Sequence, residues 1–589
     1  MPAKPNTVPD WLTLRAALTP NKPAYWRRLA TGEWSNTNWG TVADKVHALS
    51  AHLVGLGLRS GDHVAIMMPT VQEWEFCHLA VLAAGGVIVG LDAHDAPENI
   101  QHILQMVEPQ ALLVESSEQF DLLASLLPAA PAIIISREAT ASSRIKSLQN
   151  LLTPLAEIDI TLPTVKPSDL ATIIFTSGST GRPKGIAYTH SQLCLAGEAI
   201  LSRFPSINED ARFPCWLPLS NLFQRIINLC AIIRGTQSYF VESPRDIAKL
   251  LPEIRPEFFV GVPRFYEKLY VGIQSEITKR PWILRKIVNS AWIIGNRFQE
   301  MQRGLRPPSL AVRAAHYLAE TLVLRRIRGM MGPDLKFMVS GSAPMPLWLL
   351  EKMHGLGWLI IEAYGISECI VPIANNTLES YRFGSVGKPL SENEIKIADD
   401  GELLVRGPGV FKGYLGDTSR NVAFEEDGYF HTGDYAQLDA DGFLSLTGRK
   451  SEIFKTSTGR RIAPVPVEAC IKQLPYVEHV VLLGRNRPVP VALLTLQTEI
   501  QAAPPLPSST LQSIVADVEV ACSSLPAYQR PAGALVIRSA FSISGGELTS
   551  NLKLKRNSIE EKFLTNIDAL YDALAHSTDH SHCLVQEVP

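Results

Sequence analysis

From Trp39 onward the chain switches repeatedly between two hydrophobic periods, one helical and one extended. That alternation restricts it to an α/β architecture with largely parallel sheets. Trp39 to Leu56 has helical spacing, Gly61-Asp62 turns the chain, and His63-Val64-Ala65-Ile66-Met67 reads as a buried strand. The longest apolar stretch, Phe76 to Leu91, is interrupted by His78 and Gly85-Gly86 and is too short to span a bilayer. It predicts a buried helix leading into a buried strand. Leu170 to Phe175 is another strand, followed by a Gly/Ser/Thr loop, a resumed strand at Ile186-Ala187-Tyr188, and a helix with Leu193, Ala196 and Ile200 on one face. At 589 residues the chain is long enough for several domains and a large core without disulfide or metal staples.

Charge narrows the classes of partner. The formal net charge is only -3, whereas phosphate-backbone binding wants a strongly basic face, so nucleic acid is not expected. The 8 cysteines form no Cys-x-x-Cys pair, which reads as reduced thiols in a cytoplasmic protein. Met1 to Asp10 has charge and prolines but no apolar core, so no secretory signal is expected. One segment departs from the neutral average. Residues 263–330 are helical and amphipathic, with 13 Lys/Arg against 4 Asp/Glu. Two readings stand: a solvated basic helix face, or a surface meeting anionic headgroups, which would make the protein peripheral to the inner membrane.

A second change of character falls near Asp434. Upstream, long helices dominate; downstream, short strands such as Gly442-Phe443-Leu444-Ser445-Leu446 and His479-Val480-Val481-Leu482-Leu483 alternate with charged turns. The boundary predicted at Gly448 to Ser451 divides the chain into a large domain, 1–447, and a smaller one, 448–575. Residues 576–589 form a polar tail expected to be disordered.

The strongest local signal is Thr176-Ser177-Gly178-Ser179-Thr180-Gly181-Arg182-Pro183-Lys184-Gly185. Its glycines permit tight turns with backbone N–H groups aimed into a concavity, and its hydroxyls and lysine add donors for phosphate oxygens. Pro183 stands where a Walker-type loop needs glycine, so this is not a P-loop. The string resembles the phosphate loop of the adenylate-forming superfamily, which includes acyl-CoA synthetases, luciferases and peptide-synthetase adenylation domains. The resemblance runs from about Leu12 to Leu570. Glu362-Ala363-Tyr364-Gly365-Ile366-Ser367-Glu368 is similar to the family element in which Tyr364 would lie against adenine, Gly365 beside it, Ser367 at the α-phosphate, and Glu368 on Mg²⁺. Gly341-Ser342-Ala343-Pro344 resembles the adenine-pocket turn. Tyr429-Phe430-His431-Thr432-Gly433-Asp434 and Thr447-Gly448-Arg449 resemble the ribose and hinge elements, with Asp434 and Arg449 on the sugar. Leu548-Thr549-Ser550-Asn551-Leu552-Lys553-Leu554-Lys555-Arg556 resembles the C-terminal lysine element and makes Lys553 the catalytic lysine, acting with Thr180, Lys184 and Glu368.

The resemblance implies a large domain of stacked α/β subdomains and a small mobile α+β lid. It implies ATP, Mg²⁺ and coenzyme A as the small molecules, with the active site between the two domains. Gly459, in Ser457-Thr458-Gly459, would leave room for a pantetheine arm. Three segments, 218–225, 262–268 and 322–341, look like the long-chain fatty acyl-CoA synthetase subgroup and imply a fatty acid in an apolar tunnel. Five positions depart from the pattern. Asn221 and Gln224 replace histidine and glutamate, Ser451 stands at the hinge, Ser550 replaces proline, and Ser367 replaces threonine with its hydroxyl kept. The expected reaction is ATP-dependent ligation of a fatty acid to coenzyme A through an acyl-adenylate. Delivery to the phosphopantetheine of an acyl carrier protein, as in fatty acyl-AMP ligases, and a non-catalytic binding role remain as alternatives.

Overall fold

The computed structural model describes residues 4–140, 142–153, 160–177, 182–304, 307–416, 423–497, 508–542, 545–548, 553–576 and 584–588. The chain divides into two units. The first comprises residues 1–396, 404–431 and 438–445; the second comprises 397–403, 432–437 and 446–589.

The first unit is built on three sheets. The largest has seven strands in the order Lys146–Ser147, Ile133–Ser136, Ala111–Val114, His63–Met67, Val87–Gly90, Leu170–Ser177 and Pro183–Thr189. Its neighbours are parallel except for the last pair, an antiparallel hairpin. The expected strand His63–Met67 sits at its centre, and helix Gln72–Ala83 followed by strand Val87–Gly90 confirms the buried helix-to-strand passage. Parallel strands covered on both faces need apolar side chains on both, and Val64, Ala65, Ile66 and Met67 are all buried.

A five-stranded sheet carries Phe258–Gly261, Phe337–Ser340 and Ile360–Ile366 in parallel, then Cys369–Asn375 and Lys388–Pro389 running antiparallel. A four-stranded sheet holds Arg212–Cys215, Gln237–Phe240, Pro23–Arg28 and Trp34–Asn38. The three segments that suggested a fatty substrate meet at one apolar cluster: Tyr266, Leu324 and Met338 are buried in it and Phe223 packs against it.

Gln224 has a structural explanation. It lies in helix Leu222–Arg234 and is almost fully buried. Its Oε1 accepts from the Leu217 N–H at 3.2 Å, and its Nε2 donates to Asn228 Oδ1 at 3.1 Å. Asn228 in turn donates to the buried Glu75 at 3.1 Å. A neutral amide donates at one end and accepts at the other, as this chain of bonds requires; a carboxylate cannot donate.

The second unit has a four-stranded sheet ordered Val477–Leu483, Val491–Leu496, Gly533–Ile537 and Leu584–Val588. The last strand corrects the disordered-tail expectation for residues 584–588. It pairs in parallel with Gly533–Ile537, and Val585 and Val588 pack into separate apolar clusters. The polar residues upstream hid this short strand. Residues 577–583 lie outside the described residues. No helix among the described residues is long and apolar enough to cross a membrane.

Candidate adenylation site

Two hairpin tips define the site in the first unit. The phosphate string is the tip of the hairpin Leu170–Ser177/Pro183–Thr189, in which Thr176 stands opposite Lys184 and Ser177 opposite Pro183. This strand-to-strand turn differs from the strand-to-helix geometry of a P-loop. Gly178, Ser179, Thr180 and Gly181 lie outside the described residues. The second tip belongs to strands Ile360–Ile366 and Cys369–Asn375. Because Ile366 pairs with Cys369, Ser367 and Glu368 are the two turn residues, and the register shifts between Tyr364 and Ile366, at Gly365. Tyr364 is buried, whereas Gly365 and Ser367 are exposed and Glu368 is half-buried.

A segment that carries no motif joins the tips. Leu415 N–H donates to Gly185 O at 2.8 Å, and Phe411 N–H donates to Glu368 O at 2.8 Å. A Cβ on Gly185 would stand 3.1 Å from Leu415 Cβ, so the close approach favours glycine there. Tyr414 serves both sides: its hydroxyl donates to Glu368 Oε1 at 2.7 Å, and Lys184 Nζ lies 4.7 Å from its ring centroid. Tyr188, buried in the phosphate hairpin, donates to Ser367 O at 2.6 Å. Sequence reasoning missed both tyrosines. Tyr188 reads as a plain strand residue, and Tyr414 lies 46 positions from Glu368 with no pattern around it.

The turn at 341–343 lies in the same unit. Ser342 adopts φ 72°, the left-handed region that non-glycine residues rarely occupy, and Ser342 and Ala343 are exposed. A Cβ on Gly341 would stand 3.3 Å from the Phe223 ring, so that glycine keeps the segment after Asn221 close to the turn. Glu362 braces the turn from below, accepting from the Met345 N–H at 3.1 Å. Burial raises its carboxyl from the ordinary 4.5 to about 7, opposed by that hydrogen bond.

Glu368 suits Mg²⁺ in the way the family pattern implies. It offers a half-buried carboxylate with one oxygen oriented by Tyr414, and a nucleotide-borne Mg²⁺ takes most of its ligands from phosphate and water. Among the described residues no group of three or more His, Cys, Asp or Glu side chains is placed to hold a metal by itself.

The second unit gathers the remaining candidates. Asp434 is buried on strand Phe430–Leu438, and its Oδ1 lies 2.9 Å from Nε of the more exposed Arg449 on strand Leu444–Arg449. Lys450 is held by Asp400 at 2.9 Å and Glu402 at 2.7 Å, and these hydrogen bonds raise its affinity for the proton. Ser451, the altered hinge position, is exposed and its carbonyl accepts from Arg485 at 3.5 Å.

Lys553 is surrounded by Arg449, Glu452 and Asp434. Desolvation by the crowded fold and the positive charge of Arg449 lower the pKa of its ammonium, with Glu452 and Asp434 opposing. The residue as a whole remains open to solvent. Ser550 lies outside the described residues. Behind the lysine, Arg556 forms a two-pronged ion pair with Glu468, which also accepts from the Leu482 N–H at 2.7 Å. This brace fixes the end of the lysine segment to the sheet, and sequence reasoning did not find it. Gly459 has φ 84° and open space around a built Cβ, so its backbone conformation accounts for the glycine here.

The sequence matches the AMP-binding enzyme family over residues 12–415 and the AMP-binding enzyme C-terminal domain over residues 452–575. The chain belongs to the AMP-binding enzyme family. It is 30% identical over 568 residues to the long-chain-fatty-acid–CoA ligase FadD15 of Mycobacterium bovis, covering 93% of this chain and 94% of that one. It is 26% identical to the long-chain-fatty-acid–CoA ligase ACSBG2 of Rattus norvegicus, covering 92% and 89%. The fold matches the A-PCP didomain of carboxylic acid reductase from Segniliparus rugosus in complex with AMP, with a TM-score of 0.76 and 18% identity, over 98% of this chain and 83% of that one.

Two consequences follow for this member of the family. Glu362 keeps its proton to about pH 7 when folded, while the unfolded carboxyl releases it near 4.5. Its contribution to stability is therefore fully present below pH 4.5 and falls as the pH rises through about 7. Glu362→Gln is expected to flatten that part of the stability–pH profile, measured by thermal melting across the range. Tyr414→Phe removes the hydrogen bond to Glu368 at a cost of about 1.5 kcal/mol. The apparent KM for Mg-ATP in pyrophosphate exchange is expected to rise about tenfold, with little change in melting temperature.

Proposed function

We propose that the protein is an ATP-dependent fatty acid–CoA ligase that works through an acyl-adenylate and takes long-chain acids. The observation that carries this reading is the pairing of the phosphate hairpin with the Ser367-Glu368 turn through Tyr188, Phe411 and Tyr414. That arrangement puts a lysine and a carboxylate on one tyrosine. The names of the relatives supply the substrate class.

The chemical obstacle is one anion attacking another. A carboxylate oxygen must bond to the α-phosphorus of ATP while the bond from that phosphorus to the pyrophosphate oxygen breaks. We assign Thr176, Ser177, Gly178, Ser179, Thr180, Gly181 and Lys184 to the phosphates. Tyr364 and Gly365, with Gly341, Ser342 and Ala343, are assigned to the adenine, and Ser367 to the α-phosphate. Asp434 and Arg449 are assigned to the ribose: Asp434 would accept from the sugar hydroxyls while Arg449 orients it. Mg²⁺, held by Glu368 and the substrate's phosphate oxygens, would neutralise charge as pyrophosphate leaves. Lys553 would place a mobile positive charge near the attacking and leaving oxygens.

In the second half-reaction the thiol of coenzyme A gives its proton to solvent and its sulfur bonds to the acyl carbon, while the bond from that carbon to the AMP phosphate oxygen breaks and AMP departs with the bonding pair. Gly459 is assigned to the path of the pantetheine arm. The functional boundary is placed at residue 448, with 1–447 as the adenylation domain and 448–575 carrying the lysine. A cytoplasmic location fits the free cysteines, six of the seven described ones being buried.

The assignment of Lys553 separates the two steps. Lys553→Ala is expected to lower fatty-acid-dependent pyrophosphate exchange by about 100-fold or more. Transfer to coenzyme A from preformed acyl-adenylate should remain close to wild type. An equal loss in both steps would contradict the assignment.

A further inference from the structure

The helical hairpin after Pro281 exposes large apolar side chains in an unusually basic setting. Helix Trp282–Arg303 has 22 residues, and its only buried ones are Ala291, Trp292 and Gly295. Those three anchor it. Trp292 Nε1 donates to Lys352 O at 2.8 Å, and Gly295 lies so close to Gly355 that an added Cβ would stand 2.1 Å from its carbonyl oxygen. The first two turns project beyond this anchor. Trp282 is 59% exposed, and Ile283, Leu284 and Ile287 are exposed with it.

The following helix, Leu310–Ala319, packs back on the first through Phe298 and His316, whose rings stack at 3.9 Å between centroids. It continues through Glu320–Leu324 into Arg325–Arg328. Along it Leu310, Tyr317, Leu318 and Leu322 recur at helical spacing, with Leu310 82% and Tyr317 70% exposed. Leu324, on the same helical run, is buried in the neighbouring core cluster, whereas these side chains are not.

The charge around them has one sign. Residues 279–328 hold 11 Lys/Arg and 2 Asp/Glu. Arg285, Lys286, Arg325 and Arg326 are exposed, and none is ion-paired among the described residues. Lys286 Nζ lies 5.0 Å from the centroid of the Trp282 ring, so cation and aromatic group share one projecting turn.

We propose that this hairpin is a membrane-docking surface for the headgroup region of an anionic phospholipid bilayer. A second copy of the chain would bring two basic faces together. Nucleic acid would use the cations but would give Ile283, Leu284, Ile287 and Leu318 nothing to pack against. An anionic bilayer serves both: phosphates for the arginines and lysines, and an apolar boundary for Trp282 and the aliphatic side chains. The helices lie on the surface rather than across it, since neither is apolar enough to span. This inference is independent of the ligase reading, although a docked enzyme would stand beside the phase into which a fatty acid partitions.

The test is density-gradient flotation of the full chain with vesicles of phosphatidylcholine, with and without phosphatidylglycerol, at low and high salt. Wild type should float with the phosphatidylglycerol vesicles, be released by high salt, and stay behind with phosphatidylcholine alone. One variant combines Arg285→Gln and Lys286→Gln; a second combines Ile283→Ser, Ile287→Ser and Leu318→Ser. Each should weaken binding to the anionic vesicles by about tenfold or more, with the melting temperature preserved. Activity on a short, soluble acid in the absence of vesicles should be unchanged, which separates loss of docking from loss of catalysis. Failure of wild type to float with anionic vesicles at low salt overturns the proposal. So does loss of binding in the charge variant alone, which would mean that the exposed apolar side chains do not enter the bilayer.

Discussion

The segment from Val410 to Leu415 is the strut on which the first unit's candidate site depends. It bonds to the phosphate hairpin through Gly185 and to the second hairpin through Glu368, and it inserts Tyr414 between Lys184 and the Glu368 carboxylate. Hairpin tips are ordinarily the loosest parts of a sheet, because their backbone groups lack ladder partners. Here the second tip is held by Tyr188, Phe411 and Tyr414, each bonded to a main-chain or carboxylate oxygen of Ser367 or Glu368. A site that must act on a polyanion is thereby fixed in advance of the ligand, and preorganised charge gives the greatest advantage in such chemistry.

The C-terminal unit follows the same logic with ion pairs in place of phenols. Glu468 and Arg556 tie the lysine segment to the sheet, Asp434 is paired with Arg449, and Asp400 and Glu402 hold Lys450. Lys553 sits in a different electrostatic setting. It stands near a positive arginine and in a crowded environment, so its ammonium is easier to deprotonate than an ordinary lysine's. An added anionic phosphate would favour the charged form, coupling the cation to the presence of substrate.

Much of this was legible in the sequence, and the limits have physical causes. Strand His63–Met67 and the buried passage from Gln72 to Gly90 followed from hydrophobic period and turn residues, which are local signals. The phosphate string, Ser367-Glu368, Asp434 and Lys553 were legible through resemblance to family motifs. The supports were not legible, because they are long-range. Tyr188 reaches a carbonyl 179 residues away, and Arg556 meets a glutamate 88 residues away. Gln224 was noted as a departure from the family pattern, but its role in a buried amide chain depends on Asn228 and Glu75 being packed beside it. The strand at Leu584–Val588 was missed because a five-residue edge strand carries too little pattern to outweigh the polar residues before it.

The central claim is that this chain joins a long-chain fatty acid to coenzyme A through an adenylate. Its most direct test is thioester formation by the purified protein with ATP and Mg²⁺, offering coenzyme A and a holo acyl carrier protein in parallel across acids of increasing length. The account predicts acyl-CoA, formed best from long-chain acids and only in the presence of ATP. Adenylate that only the carrier protein accepts, or ATP binding with neither adenylate nor thioester, would contradict it.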